Sequence, residues 1–253
     1  MIEQLIYLTG LSVSSLAVAM LLIFAGAYLK GFTGFGASMF WVTSLSFILP
    51  PVQVVPMVLI FEVVTSIVLL PSIWSQVRWN SILWLFLGTS LATPIGIYAL
   101  ASLPADPVRL ALALTVLIAA ILILTGFQLS YEPGKKMTFA VGGIAGILNG
   151  SMGIVGPPVI LFYFSTPIGI AAGRASIIAF FVGTDTVGTV LFAAQGLLTS
   201  AILWRTLIFL PVLVVGVVLG GKGYVRTSEE AFKKVALYVL VALSIGLGLQ
   251  VFI

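Results

Sequence analysis

Long apolar runs with almost no charge inside them recur along this chain, and they restrict the possible folds more than any other feature. The runs fall at 10–29, 36–49, 52–73, 81–101, 108–128, 137–148, 156–165, 168–195, 201–221 and 231–252. A helix needs about 20 residues to cross the hydrocarbon of a bilayer, and several runs have that length. Only 7% of the residues are charged and 61% are hydrophobic, whereas a soluble domain carries about 25% charged residues. A soluble enzyme with an oily core is set aside on that ground. The polar connections are too short for a second domain. The sequence therefore reads as one all-α integral membrane domain over residues 1–253, because in lipid the backbone must satisfy its own hydrogen bonds.

Two absences narrow the chemistry. There is no cysteine and no histidine, which removes disulfides, thiol catalysis, haem ligation and soft metal sites. No metal and no cofactor is expected, and the chain does not read as an enzyme. The net charge of +4 rests on 11 basic residues. Placed beside apolar runs, these point to membrane orientation rather than to nucleic acid. The opening "MIEQLIYLTGLSVSSLAVAM" lacks a basic leader and carries Glu3, so it is read as a retained first helix rather than a signal peptide.

Three runs, 36–49, 137–148 and 156–165, are too short to span, and all flank glycine-rich breaks: "LKGFTGFGASMFW" from Leu29 and "LNGSMGIVGPPVIL" from Leu148. A shift of 119 positions lays Lys30 on Asn149, Gly31 on Gly150 and Gly34 on Gly153. Each break is followed by a short apolar run, a proline, a long segment, a tryptophan-containing segment and a final apolar helix. The chain reads as two homologous halves, 10–128 and 137–253, each of about four to five transmembrane or re-entrant helices, discontinuous at the breaks.

Basic residues orient the halves. Arg78, then Lys135 and Lys136, then Lys222, Arg226, Lys233 and Lys234 are separated by even numbers of segments, which puts all of them on one, cytoplasmic, face. The N-terminus is then outside, and the second half runs opposite to the first, as an inverted repeat. A parallel repeat would follow if each broken pair made a single crossing.

Broken backbone survives in a membrane only where it is buried in protein or faces water. Glycine permits φ > 0, and a helix starting at a break directs its positive dipole end outward. Two facing breaks would form a cationic pocket suited to an anion. Gly31, Gly34, Gly36, Gly150, Gly153 and Gly156 would open the backbone, with Pro157 fitting a first helical turn. Lys30 or Arg174, with Thr33, Ser38, Asn149 and Ser151, would hold the anion; a snorkelling lysine is the alternative for Lys30. Glu62 and Asp185 lie deep in apolar segments, where a carboxylate is expensive and marks a proton or ion path. A structural ion pair is the alternative for Glu62. Arg78 and Arg205 beside tryptophans read as interface anchors, and Phe180, Phe181, Trp41 and Phe162 as packing.

"KGFTGFGAS" and "NGSMGIVGPPVILFY" resemble the paired glycine motifs of the TauE/SafE sulfite exporter family of membrane permeases, and the order of features after each motif is similar over nearly the whole chain. The first motif departs from the family's longer glycine run at Ala37 and Ser38, and "GRAS" places Arg174 where a small polar residue is usual. The resemblance implies transport of sulfur-containing anions: sulfite, thiosulfate or organosulfonates, with some carboxylates. The expectation is a secondary transporter of such an anion in a bacterial inner membrane, driven by the membrane potential or by protons. Its partners are the small anionic substrate, protons as coupling ion and membrane lipid, with no nucleic acid. An anion channel and a carboxylate permease of the same fold are the alternatives.

Overall fold

The structure is a computed structural model that describes residues 9–102 and 131–228, with isolated positions between 114 and 129 and between 231 and 245. The described residues are helical, without strands. Eight α-helices follow in order: α1 Val13–Thr33, α2 Ala37–Leu45, α3 Pro51–Ile73, α4 Trp79–Ser102, α5 Lys135–Met152, α6 Gly156–Ser165, α7 Ile170–Ala194 and α8 Ser200–Val225. Five stretches, within α1, α3, α4, α7 and α8, are long and apolar enough to cross a membrane. The helices expected at 108–128 and 231–252, together with residues 1–8, Glu229, Glu230 and Lys233, lie almost wholly outside the described residues, as do Gly246 and Gly248.

Local chemistry sets the helix limits. Ser12 caps α1 by accepting the Ser15 N–H, and Thr199 does the same for α8 from Ile202, each satisfying one orphan donor of a first turn. Pro157 and Pro158 occupy the opening turn of α6, where their missing N–H groups cost nothing. Helix α1 stops at Gly34 (φ 85°), whose N–H returns to the Lys30 carbonyl, and α5 stops at Gly153 (φ 64°), whose N–H returns to Asn149. The two stops thus use equivalent residues under the 119-residue shift. Only a residue without Cβ adopts this left-handed cap readily.

The breaks sit later than the motifs suggest. Lys30, Gly31, Asn149 and Gly150 are all helical, and the backbone opens at Gly34–Gly36 and at Gly153–Val155. Helix α5 therefore reaches Met152 rather than stopping near residue 148. Gly31 and Gly150 do not open the backbone. They are contact points instead: a Cβ on Gly31 would lie 2.2 Å from the Val217 carbonyl oxygen, and one on Gly150 would lie 2.1 Å from that of Thr93.

Those contacts belong to a reciprocal packing scheme. Helix α1 packs on α8, the fourth helix of the other half, and α4 packs on α5 in the same way. Gly220 meets the Tyr28 carbonyl and Gly96 that of Ile147; Tyr28 and Ile147 are again related by the 119-residue shift. Small residues let backbones approach this closely, and dispersion contacts between such surfaces hold helices together in lipid. Gly216 and Gly220 of α8 pack against the α1 backbone in this way. Helices α3 and α7 cross at the centre, each also touching the fourth helix of the opposite half.

The helix directions follow from the contacts. Thr9 meets Arg205, and further along Tyr28 meets Gly220, so α1 and α8 run parallel. Helix α2 folds back along α1, with the Trp41 indole donating to the Ile23 carbonyl and lying over Gly26. Arg174, near the start of α7, bonds the last turn of α1. Ser176, two residues on, accepts the Arg78 N–H at the α3–α4 corner. A surface cavity of about 410 Å³ at this end is lined by Arg78, Ser81, Glu132, Tyr163 and Thr166 among others. Arg78, Lys135, Lys136, Lys222 and Arg226 therefore gather at one end of the bundle, while α1 begins at the other. Leu21, Leu91, Ile95 and Val190 point outward, and the charged residues Lys30, Glu62, Arg174 and Asp185 are buried. That inversion of the soluble pattern is the arrangement lipid demands.

Candidate functional site

Five elements deliver polar groups to the centre. Lys30 comes from the last turn of α1 and is fully enclosed, so it does not snorkel to water. Its ammonium is ion-paired with the Glu62 carboxylate from the middle of α3 and lies 3.7 Å from the centre of the Phe181 ring of α7. A cation over a ring face is attracted by the ring quadrupole, more strongly when desolvated. The other Glu62 oxygen accepts the N–H of Ser38, in the first turn of α2, at 3.0 Å. The first break thus aims a helix start at a carboxylate, as the dipole favours. Glu62 is the partner of a buried ion pair, so the structural alternative for this residue is realised in its geometry.

Asp185 of α7 lies beside this pair, with Lys30 and Glu62 as its charged neighbours and the Asn149 amide of α5 close by. It is buried, and neither of its carboxylate oxygens has a hydrogen-bond partner. The Asn149 amide nitrogen reaches the Thr184 carbonyl at 3.5 Å, leaving its own Oδ1 unpaired, and the Ser66 hydroxyl of α3 is also unpaired. Buried polar atoms without partners are uncommon and mark places where something binds or changes. Among the described residues, Asp185 and Asn149 bring three such atoms to the neighbourhood of the ion pair.

The remaining expected site residues lie elsewhere or act locally. Arg174 donates from Nη2 to the Gly31 carbonyl (2.5 Å) and from Nε to the Phe32 carbonyl (3.2 Å), and its guanidinium lies 3.9 Å from the centre of the Tyr224 ring. It caps the C-terminus of α1, where a cation opposes the negative dipole end. Arg174→Ala would leave two buried carbonyls without donors and is expected to cost about 2–3 kcal/mol, with Arg174→Lys intermediate. Thermal unfolding of the purified variants measures this, and an unchanged midpoint for the alanine variant would remove the capping role. The Thr33 hydroxyl lies within reach of the Leu29 and Phe35 carbonyls and accepts the Phe35 N–H, bracing the first break, while Ser151 turns its hydroxyl onto the Ile147 carbonyl within its own helix. Gly36 (φ 82°) supplies the start of α2. Gly156 starts α6, and a Cβ there would lie 3.9 Å from the terminal methyl of Met39 of α2. Two prolines leave the start of α6 poorer in N–H donors than that of α2.

Sequence reasoning misses two residues near the site, Phe181 and Ser66, and the setting of Arg205 outside it. Phe181 was read as packing and instead lies against the ammonium. Ser66 was not singled out. Arg205 was read as an interface anchor, but it is buried and joins the Thr9 carbonyl (2.5 Å) to the Gln53 side chain (2.6 Å). A signal for the first two existed. Extended into the third helix of each half, the 119-residue shift lays Glu62 on Phe181 and Ser66 on Asp185. The duplicated framework thus carries its charges unequally. Arg78, exposed and 4.0 Å from Glu132, suits an interface position.

Known proteins resemble this chain over most of its length. The sequence model of the family described as "Sulfite exporter TauE/SafE" matches residues 18–247. A protein of Cupriavidus necator named "Probable sulfite/organosulfonate exporter TauE" is 28% identical over 237 residues, covering 90% of this chain and 91% of the relative. No solved structure matches.

Proposed function

Because the chain belongs to the sulfite exporter TauE/SafE family, we propose that it is a secondary transporter that moves a small sulfur-containing anion, sulfite or an organosulfonate, across a bacterial inner membrane. The observation that carries this reading is the buried cluster at the α2 start: an ammonium and a helix-terminal amide converge on an oxyanion deep in an apolar bundle. Such a constellation is costly in lipid and is kept where an ion passes. The relative's name, an exporter of sulfite or organosulfonate, supports the substrate class.

Lys30 and the Ser38 amide hold the anion, and Glu62 and Asp185 carry the coupling proton. The opposite starting ends of α1 and α5 support an inverted repeat, with boundaries near 10–128 and 137–253. The gathering of basic residues at one end supports a cytoplasmic assignment for that end and an external N-terminus. Alternating access then exposes the central site to one side of the membrane at a time. A membrane potential of 100 mV supplies about 2.3 kcal/mol per charge, enough to drive an anion outward against a gradient.

The test is flux of sulfite, thiosulfate and alkanesulfonates in proteoliposomes, with imposed potential and pH gradients. Saturable flux of at least one sulfur anion, stimulated by a gradient, is expected. Non-saturating flux indifferent to a pH gradient would assign a channel instead, and preference for carboxylates over every sulfur anion would reassign the substrate.

A further inference from the structure

The oxyanion at the first break is the chain's own. Glu62 reaches from the middle of α3 to the opening turn of α2, one oxygen on the Ser38 N–H and the other on Lys30. A helix-start amide and an ammonium are also the groups that a sulfite or sulfonate oxygen would take. We propose that Glu62 is a tethered stand-in for the transported anion: substrate binds by displacing the Glu62 carboxylate from Lys30 and the Ser38 amide, and the displaced side chain takes up one proton. This rests on the anion-transporter reading above and names how its site is coupled.

Charge conservation in the bundle requires the proton. The groups facing Glu62 are Lys30 from α1, the Ser38 amide from α2 and Asp185 from α7, with the uncharged Asn149 of α5 beside Asp185. Arg174 is engaged with the α1 carbonyls and cannot serve as a second cation here. Lys30 balances one carboxylate. An entering anion beside an ionised Glu62 would add one negative charge to this cluster with no cation to balance it, away from water, and an uncompensated buried charge is strongly unfavourable. For a singly charged anion such as a sulfonate or hydrogensulfite, a neutral Glu62 leaves the charge around Lys30 the same before and after binding.

The neutral acid has an acceptor waiting. Its new O–H needs a partner, and the oxygens of the neighbouring Asp185, approached by the Asn149 amide but making no geometric hydrogen bond, have room to accept it. Those unsatisfied oxygens are a poor arrangement for the resting state and a suitable one for the anion-bound state. The ring of Phe181 keeps its contact with the Lys30 ammonium throughout, so the cation stays in place while the carboxylate swings away. The proton moves from water to Glu62, and no bond of the substrate breaks.

The experiment is calorimetric titration of the full chain in nanodiscs with methanesulfonate, which stays singly charged across the pH range, and with sulfite and thiosulfate. Binding linked to uptake of one proton should weaken about tenfold per pH unit as pH rises. In unbuffered solution with an indicator, one proton should be taken up per anion bound. In Glu62→Gln the slope should vanish while binding persists. Binding by the unaltered protein with no proton uptake and no slope would overturn the exchange and leave the anion-transporter reading standing. No binding of any of the three anions would overturn both. Should Glu62→Gln fail to fold, proton uptake by the unaltered protein on binding methanesulfonate decides alone.

Discussion

Lys30→Met is expected to destabilise the protein by about 3–5 kcal/mol, because it strands the Glu62 carboxylate in the bundle without its cation. Lys30 and Glu62 are both buried and paired with each other, so neither can turn to water when its partner is removed. Adding Glu62→Gln in the same chain should restore most of that loss, since a neutral amide beside methionine has no charge to compensate. The double variant should then fold but bind no anion, having lost the ammonium. Thermal unfolding in detergent, read beside calorimetric binding, separates the two effects. A single variant as stable as the unaltered protein would show that the pair is not closed. Anion binding by the double variant would place the site away from Lys30.

Gly220→Ala is expected to be nearly as damaging, for a different reason. A Cβ there would lie 2.0 Å from the Tyr28 carbonyl oxygen, and a Cβ on Gly96, its counterpart at the α4–α5 contact, would lie 2.1 Å from that of Ile147. Backbone cannot yield as a flexible side chain can, so α1 and α8 must separate along their shared seam. The cost is on the order of 3 kcal/mol, at the upper end for overpacking, despite alanine's better helix propensity. Gly143→Ala is the control: it lies in the same kind of helix, but nothing is within 4 Å of its Cβ. It should be neutral or stabilising by about 0.5–1 kcal/mol. The monodisperse fraction after extraction, with the melting temperature, reads both. If Gly220→Ala behaved like Gly143→Ala, the close seams would not be holding the bundle together.

The two effects act on separate parts of the protein, and the separation explains how one framework carries one charged site. The glycine seams are reciprocal between the halves: Tyr28 and Ile147 meet Gly220 and Gly96. The polar cluster is not: Lys30 corresponds to Asn149, Glu62 to Phe181, and Ser66 to Asp185. The close seams therefore recur at both helix pairs, whereas the ammonium and its carboxylate gather at the start of α2 alone.

The sequence by itself determined the membrane class, the helical content, the doubled order of features and the glycine stops, because each depends on local properties. Apolar length sets spanning, a missing Cβ sets the left-handed caps at Gly34 and Gly153, and prolines set the start of α6. It also marked Lys30, Glu62 and Asp185 as costly groups needing partners. Only the tertiary structure decided which partners they take. Lys30 and Glu62 are 32 residues apart, and Arg174 reaches the Gly31 carbonyl across 143. No periodicity encodes such a distance; it follows from helices crossing in space. The same holds for Gly31 and Gly150, which look like breaks in the motif and prove to be packing points once α8 and α4 lie against them. A glycine's role depends on whether the next atom beyond its Cα is solvent, ligand or another backbone, and that atom comes from elsewhere in the chain.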